Sequence, residues 1–207
     1  MPPIIAIDGP AAAGKGTLAK ALARQLNFAY LDTGLLYRCV GVKAAEQKML
    51  TDATVIAQGL EPPDLNRTDL RTPAAGSHAA KVAGQPGVRQ ALFNFQHHFG
   101  LNPPEGKAGA ILDGRDIGTV IFPDADFKFY ISASPQARAQ RRYDELPPES
   151  RPSLSEILMQ IKERDARDAT REEAPMRAAR DAHLIDTSHL DRDQVFHLAL
   201  SIIQKGS

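Results

Sequence analysis

Residues 9–17 read Gly9-Pro10-Ala11-Ala12-Ala13-Gly14-Lys15-Gly16-Thr17, and this stretch decides the fold of the chain. It follows an apolar run at residues 4–8 and precedes a segment in which Leu18, Leu22 and Leu26 recur at helical spacing. A strand, a glycine-rich loop with a lysine and then a helix form the order that a phosphate-binding loop requires. The backbone N–H groups of such a loop and the N-terminus of the helix attract anionic oxygens, and the lysine adds a full positive charge. The stretch therefore predicts that the protein binds a nucleoside triphosphate.

The residues after Lys15 indicate which class of phosphate-binding loop this is. Gly16 and then Thr17 follow Lys15, whereas most phosphate-binding loops place Ser or Thr directly after the lysine. The Gly-Lys-Gly-Thr variant is typical of nucleoside monophosphate kinases rather than GTPases. It predicts Thr17 as the metal-site residue, in contact with the metal either directly or through a water. A turn that only joins a strand to a helix is the alternative, and the setting of the motif argues against it.

Length and composition limit the function classes. A chain of 207 residues with 43% hydrophobic residues fits one α/β domain with insertions. The formal net charge is zero, so there is no overall attraction to nucleic acid or to an anionic membrane surface. No apolar run is long enough to span a bilayer, and no secretory signal pattern is visible. Cys39 is the only cysteine, which excludes an intrachain disulfide and fits a buried thiol in the reducing cytoplasm.

Apolar runs alternate with helical patterns along the chain, and this alternation predicts a parallel sheet wrapped by helices. The predicted strands cover residues 4–8, 28–31, 110–113, 127–131 and 183–186. Helices are predicted at 15–25, from 34, at 74–99 with a break at 84–87, at 135–145, from 153 and from 191. The last helix is expected to bury Val195, Leu198, Ala199 and Ile202. Residues 51–73, which are rich in proline and polar residues, predict an irregular surface connection.

Two polar motifs follow predicted strands. One is Asp32-Thr33-Gly34-Leu35-Leu36-Tyr37-Arg38, and the other is Asp113-Gly114-Arg115-Asp116-Ile117-Gly118-Thr119. Because ligands bind at the carboxyl edge of such a sheet, Arg38 is predicted to reach that edge beside the phosphate loop, and Arg115 is predicted to point into a cleft there. A surface arginine paired with a neighbouring acid is the alternative for each.

A charged run at residues 162–171 contains Arg164, Asp168 and Arg171 at the spacing i, i+4 and i+7, so the three share one helical face. Exposed ion pairs, each worth a few tenths of a kcal/mol, are the simplest interpretation. The phosphate loop elsewhere in the chain favours a second one, because phosphoryl transfer requires positive charge around the moving group. Loops at 146–152 and 172–180 flank the run and would let it move as a lid.

Taken together, these motifs resemble the bacterial cytidylate kinases. The matching stretches are residues 7–18, 31–38, 113–125 and 163–171, and adenylate kinases lack the third. The resemblance implies a P-loop kinase fold of the α/β class, with a five-stranded parallel sheet flanked by helices. It implies one domain over residues 1–207, with a mobile monophosphate-binding segment at 51–99 and a mobile lid region at 146–180.

The resemblance also implies an activity. The γ-phosphate of ATP would be transferred to CMP or dCMP with Mg²⁺, giving CDP or dCDP and ADP in pyrimidine nucleotide metabolism. The implied enzyme is a cytoplasmic monomer whose partners are ATP and CMP or dCMP, without nucleic acid or membrane. No general base is required, because the acceptor is already an anionic phosphate, and electrostatic positioning would supply the catalysis.

Roles follow for the matched residues. The residues implied to bind ATP are Gly9, Pro10, Ala11, Ala12, Ala13, Gly14, Lys15, Gly16 and Thr17. The residues implied to bind CMP are Thr33, Tyr37, Arg38, Arg89, Arg115, Asp116, Arg164, Asp168 and Arg171. The implied catalytic residues are Lys15, Arg115, Arg164 and Arg171. Within the CMP set, Arg38, Arg115 and Arg171 would bind the acceptor phosphate or the transferring group. Arg89 and Asp116 would contact the cytosine edge, which offers both a donor and acceptors, and Arg164 and Asp168 would approach the sugar.

Two features depart from the family pattern. Residues 51–73 are too short and too rich in proline for the small β-rich segment that members often insert, and Ala80 stands where members often have a serine near the cytosine. Two other functions stay open from the sequence. One is a P-loop kinase that acts on UMP or AMP. The other is a nucleotide-switch GTPase, although the chain lacks the Asn-Lys-x-Asp motif that GTPases usually carry.

Overall fold

A computed structural model describes residues 1–206 of the chain. These residues form two compact units. The first contains residues 1–31 and the residues from 103 onward, and the second is Asp32–Asn102. The sequence predicts one domain over residues 1–207. Its last residue, Ser207, lies outside the described residues.

The first unit is built on a parallel sheet. Its strands are β1 (Ile4–Asp8), β2 (Ala29–Asp32), β3 (Ala110–Gly114), β4 (Phe127–Ser132) and β5 (His183–Asp186). They are ordered β2-β3-β1-β4-β5, with β1 parallel to β3 and β4, and β4 parallel to β5. Every residue of β1 is buried, as expected for the central strand of a sheet covered on both faces. The predicted five-stranded parallel sheet is confirmed within the described residues, and the strand ends differ from the predicted ones by at most one residue.

Eight α-helices are present in the part of the chain that the structure describes. They are α1 (Lys15–Leu26), α2 (Thr33–Glu46), α3 (Thr54–Gln58), α4 (Pro73–Val82), α5 (Pro86–Leu101), α6 (Pro135–Glu145), α7 (Leu154–Ala169) and α8 (Arg192–Gly206). The predicted break at 84–87 separates α4 from α5, where Pro86 opens the second helix. A capping box opens α7, as the predicted helix start at 153 requires: the Ser153 side chain accepts from the Glu156 N–H, and the Glu156 carboxylate accepts from the Ser153 N–H.

The core of the first unit lies between the sheet and two helices, α1 and α8. Its large buried members are Ile5, Ile7, Leu18, Leu22, Ile111, Phe129, Ile131, Ile185, Val195 and Ile203. A smaller apolar cluster joins α6 to α7 through Ala139, Ile157 and Ile161. The smaller cluster packs α7, which carries most of the charged run, against α6.

The second unit is helical, with α2 packed on α4 and α3 packed on α5. At the first contact the helices approach so closely that a Cβ on Gly41 would lie 2.7 Å from the backbone carbon of His78. Cys39 is buried beside Gly41, as expected. No α-helix within residues 1–206 has the length and apolar character needed to cross a membrane.

The prediction of an irregular connection at residues 51–73 is wrong. This segment forms α3 and two turns of 3₁₀ helix, Pro62–Asn66 and Thr68–Arg71. Ion pairs of the segment hold the turns on α2: Lys43 with Asp64 at 2.8 Å, and Arg67 with Glu46 at 2.5 Å. Proline and aspartate initiate short helical turns as readily as loops, so composition alone did not separate the two.

The predicted buried face of α8 is wrong at one position. The helix begins at Arg192, one residue after the predicted start, and buries Val195, Ala199 and Ile203. Leu198 is 43% exposed, and Ile202 is only partly buried. Apolar residues occupy two neighbouring faces of this helix, so helical spacing alone did not decide which of them meets the sheet.

The two faces of α8 predict a difference in stability. We expect Ile203→Ala to lower the free energy of unfolding by about 2–5 kcal/mol, because it removes buried methylene groups and leaves a cavity. Leu198→Ala, the matched control on the exposed face, should change it by less than about 1 kcal/mol. Urea denaturation of both variants checks this, and equal losses would contradict the observed face.

Candidate active site

The glycine-rich loop joins β1 to α1 in a conformation that depends on its glycines. Gly9 has φ 139°, and a Cβ there would lie 2.0 Å from the carbonyl oxygen of Ile131. Gly14 caps α1 with φ 96°, and Ala12 also has a positive φ of 60°. Residues in left-handed conformation turn successive N–H groups of a loop toward one point, where they bind an anion. The backbone therefore has the form that the sequence predicts for a phosphate-binding loop.

The carbonyl oxygens of the loop are bonded to side chains of the same unit. Pro10 O accepts from the Lys15 ammonium at 2.9 Å, Ala11 O from Arg138 at 3.2 Å, and Ala13 O from the Thr187 hydroxyl at 3.0 Å. Arg138 and Thr187 are themselves buried. These bonds fix the loop conformation in the ligand-free protein, so a phosphate would bind a preformed site.

Lys15 is buried at the start of α1, with 7% of its surface exposed. Burial is the main cause that lowers the pKa of its ammonium to about 7, and the positive charge of Arg115 lowers it further. The carboxylates of Asp113 and Asp8 oppose this shift, and Arg164 adds a smaller repulsion. An anionic ligand at this place would favour the charged ammonium.

The carboxylate of Asp113 lies beside Gly16 in the first turn of α1. The Tyr30 hydroxyl donates to Asp113 Oδ2 at 2.9 Å, and a Cβ on Gly16 would lie 3.2 Å from the same oxygen. A Cβ at this position would therefore lie close to the carboxylate, and the hydroxyl residue of the motif stands at the next position, Thr17. Thr17 is exposed.

Asp113 is a site residue that the predicted set omitted. Its sequence signal was an aspartate at the end of a buried strand. Mg²⁺ in kinase sites usually takes one or two carboxylates and completes its shell with substrate phosphates and waters. The oxygen donors of Asp113 and Thr17 next to the loop fit that requirement. Among residues 1–206, no group of three or more His, Cys, Asp or Glu side chains could hold a metal ion.

A cluster of arginines surrounds Asp168, which is 4% exposed. Arg115 Nε donates to Asp168 Oδ2 at 2.9 Å, and Arg171 donates to Asp168 Oδ1 at 2.5 Å. Arg164 Nε lies 3.9 Å from Oδ2. Burial raises the pKa of Asp168, but the charges of Arg115, Arg171 and Arg164 outweigh it and hold the pKa below its ordinary value. We call these four residues the Asp168 cluster.

The first unit thus brings together residues that are far apart in the sequence. Lys15 interacts electrostatically with Arg115 and Arg164 of the Asp168 cluster, and Arg171 shares the same carboxylate. The prediction of a shared helical face is confirmed for Arg164 and Asp168 of α7, but it is wrong for Arg171, which lies beyond the end of α7 at Ala169 and contacts Asp168 from there. Asp116 is also buried, and it directly precedes a π-helical turn, Ile117–Ile121.

The sequence also missed an ion pair that supports the site. Arg138 of α6 is 2% exposed and binds Asp165 of α7 through two bonds, of 3.0 and 2.5 Å. Because the same guanidinium donates to the carbonyl of Ala11, it connects α7 with the phosphate loop. Nothing in the sequence separated Arg138 and Asp165 from the other charged residues of α6 and α7.

The remaining predicted residues lie in the second unit. Thr33 opens α2 and is 4% exposed. Tyr37 and Arg38 follow one turn later. Arg89 of α5 donates to the Tyr37 hydroxyl at 3.5 Å, so the structure brings these two predicted residues together.

Arg38 has a different environment within the second unit. It donates to the carbonyl oxygens of Leu70 and Thr72, at 2.8 and 3.3 Å. A Cβ on Gly76 would lie 3.5 Å from one of its nitrogens. Ala80, which departs from the family pattern, is exposed on α4.

Comparisons with known proteins agree with this geometry. A family model described as cytidylate kinase matches residues 5–205. The cytidylate kinase of Paramagnetospirillum magneticum is 51% identical, and the alignment covers 98% of each chain. That of Rhodospirillum rubrum is 47% identical over 99% of this chain and 98% of the relative.

Solved structures with low sequence identity share the fold. Shikimate kinase from Bacteroides thetaiotaomicron is 17% identical, with a TM-score of 0.51 over 98% of this chain and 97% of that chain. An uncharacterized protein from Eubacterium ventriosum is 16% identical, with a TM-score of 0.58 over 99% of each chain.

The low pKa of Lys15 predicts a pH dependence of triphosphate binding. Burial and the positive charge of Arg115 lower the pKa of Lys15 to about 7, and a bound anionic ligand would raise this pKa because it favours the charged ammonium. Between the two pKa values binding takes up a proton, and affinity falls by up to about tenfold per pH unit as the pH rises. Calorimetric titration with ATP at pH 7.5–9, in buffers of different ionisation enthalpy, measures this uptake.

Lys15→Arg is the matched control, because a guanidinium stays charged throughout this range. Its binding should show no proton uptake. A wild-type protein that also takes up no proton between pH 7.5 and 9 would contradict the assignment of Lys15 to the phosphates.

Proposed function

The chain belongs to the cytidylate kinase family, and we infer that it transfers the γ-phosphate of ATP to CMP or dCMP, giving CDP or dCDP and ADP. The position of Lys15 supports the site assignment. Lys15 belongs to the phosphate-binding loop, and it also interacts electrostatically with Arg115 and Arg164 of the Asp168 cluster. A positive cluster of this kind suits a reaction in which two polyanions must approach each other.

ATP is assigned to the loop at residues 9–17. The N–H groups of the loop and of the first turn of α1 bind the phosphates, and the Lys15 ammonium contacts the outer ones. Mg²⁺, for which Asp113 and Thr17 offer oxygen ligands, neutralises charge on the phosphates when it is bound. Because the loop is preformed, ATP binding requires little rearrangement of this backbone.

Phosphoryl transfer is assigned to Arg115, Arg164 and Arg171 together with Lys15. A phosphate oxygen of CMP attacks the γ-phosphorus, the bond from that phosphorus to the bridging oxygen breaks, and its electron pair leaves with ADP. Negative charge is spread over the γ-phosphoryl oxygens during this step, and the guanidinium groups stabilise it. The CMP phosphate needs no proton removed before it attacks, so the proposal includes no general base.

Contacts with CMP are assigned to the predicted CMP-binding residues. In the first unit, Asp116 accepts from the cytosine amino group, and Arg164 and Asp168 lie near the sugar. Thr33, Tyr37, Arg38 and Arg89 of the second unit keep their predicted roles as CMP-binding residues, with Arg38 at the phosphate and Arg89 at the base. The polar groups of cytosine complement a carboxylate and a guanidinium.

The organisation of the enzyme follows the same proposal. The monophosphate-binding segment is residues 51–99, and the lid region is residues 146–180, which contains α7 and most of the Asp168 cluster. We place the enzyme in the cytoplasm as a monomer with Mg²⁺ as its metal, without nucleic acid or membrane partners.

An acceptor assay tests the function. Purified protein with ATP and Mg²⁺ should release ADP in the presence of CMP or dCMP, and much more slowly with UMP or AMP. A preference for AMP or UMP over CMP would overturn the assignment. ADP release that does not depend on any acceptor would instead support a nucleotide hydrolase.

Arg171→Ala tests the role of the Asp168 cluster. We expect kcat for CMP to fall by about a hundredfold or more, with ATP affinity changed by less than about fivefold, because the guanidinium acts mainly in the transition state. Arg167→Ala is the matched control, since Arg167 is an exposed arginine of α7, close to Arg171 in the sequence. Equal and small effects of both substitutions would show that the charged residues at 162–171 are exposed side chains without a role in phosphoryl transfer.

A further inference from the structure

Asp8 links the strand before the phosphate loop to the segment that carries Arg115 and Asp116. It is the last residue of β1, directly before Gly9, and only 4% of its surface is exposed. Its carboxylate accepts from the backbone N–H of Ile117 at 2.8 Å and from that of Gly118 at 2.7 Å. Asp8 therefore binds the chain immediately after Asp116.

We propose that Asp8 is a positioning residue for the acceptor: by binding these two N–H groups, it fixes Arg115 and Asp116 relative to the phosphate loop. The inference rests on the proposed function, which assigns Arg115 to the transferring phosphate and Asp116 to the cytosine. The Asp8 carboxylate then fixes the position of the phosphate loop, which holds ATP, relative to the segment with Arg115 and Asp116, which binds CMP.

The geometry requires an acceptor with two oxygens. The two N–H groups meet different oxygens of the carboxylate, Ile117 at Oδ1 and Gly118 at Oδ2. An asparagine could accept only one of these bonds and would turn its NH₂ group toward the other donor. Hydrogen bonds to an ionised acceptor are also stronger than those to a neutral amide.

The neighbouring glycine permits this contact. A Cβ on Gly118 would lie 3.4 Å from Asp8 Oδ2 and 3.3 Å from the Lys128 side chain. A side chain at this position would therefore contact both the Asp8 carboxylate and the Lys128 side chain. Asp8, at the end of β1, and Gly118, in the segment after Asp116, thus form the two sides of this contact.

The surroundings of Asp8 indicate that its negative charge by itself does not stabilise the fold. Burial raises the pKa of its carboxyl to about 6, although the bonds from Gly118 and Ile117 lower it. The charge of Asp116 raises the pKa further, and that of Lys15 lowers it slightly. A buried carboxylate beside a like charge weakens the fold unless its hydrogen bonds compensate, which points to a requirement for the contact itself.

A competing account is that Asp8 acts only through the charge of Lys15. The two accounts differ in the substrate that they affect. Loss of a negative charge next to Lys15 would change ATP binding, whereas loss of the two N–H bonds would change CMP binding and the selectivity for cytosine. Measurements on each substrate separate them.

The experiment compares wild type, Asp8→Asn and Asp126→Asn. Asp126 is the matched control, because its carboxylate accepts the N–H of Ile4 at 2.7 Å, at the opposite end of the same strand. For each protein, kcat/KM is measured with CMP and with UMP, and the ATP dissociation constant is measured by calorimetry. The ratio of kcat/KM for CMP to that for UMP does not depend on the fraction of folded protein.

We expect Asp8→Asn to lower kcat/KM for CMP by about tenfold or more and to lower the CMP-to-UMP ratio by about fivefold or more, with ATP affinity within about threefold of wild type. Asp126→Asn should leave the ratio unchanged. An unchanged ratio for Asp8→Asn, or an effect on ATP affinity alone, would overturn the inference. A wild-type protein that does not phosphorylate CMP would instead overturn the proposed function.

Discussion

The site depends on one electrostatic constraint: several positive charges must be held close together before any phosphate arrives. Arg115, Arg164 and Arg171 repel one another, and the buried carboxylate of Asp168 holds them through direct bonds to Arg115 and Arg171. The repulsion is still evident at Lys15, whose pKa is lowered by burial and by Arg115. Phosphate groups of the substrates would relieve this repulsion, so the arrangement of charges favours the binding of anionic substrates.

Close backbone approaches place these charges at the edge of the sheet. Gly9 admits the carbonyl of Ile131, Gly16 admits the Asp113 carboxylate, and Gly118 admits that of Asp8. A Cβ would block the first of these contacts, crowd the second and reach ordinary van der Waals distance in the third. The carboxylates then determine where the loop, the first turn of α1 and the segment after β3 lie relative to one another. The positions of the charged side chains follow from this backbone arrangement.

The sequence predicts most of the fold and part of the site. The loop at residues 9–17 and the strands carry strong local patterns, and the spacing of Arg164 and Asp168 gives their shared face on α7 directly. Arg171 lies beyond the end of α7, so its contact with Asp168 does not follow from helical spacing. The contact of Asp113 with Tyr30 and the ion pair of Arg138 with Asp165 were not predictable, because each joins residues that are distant in the sequence. The buried face of α8 depends on packing against the sheet, which helical spacing leaves open.

The most direct test of this account is a crystal structure of the protein with ADP, Mg²⁺, aluminium fluoride and CMP. The planar fluoride occupies the place of the transferring phosphoryl group. The account predicts that the Lys15 ammonium and the guanidinium groups of Arg115 and Arg171 lie within about 3 Å of the fluorides. A fluoride group bound away from the loop, or contacted by Lys15 without either arginine, would contradict it.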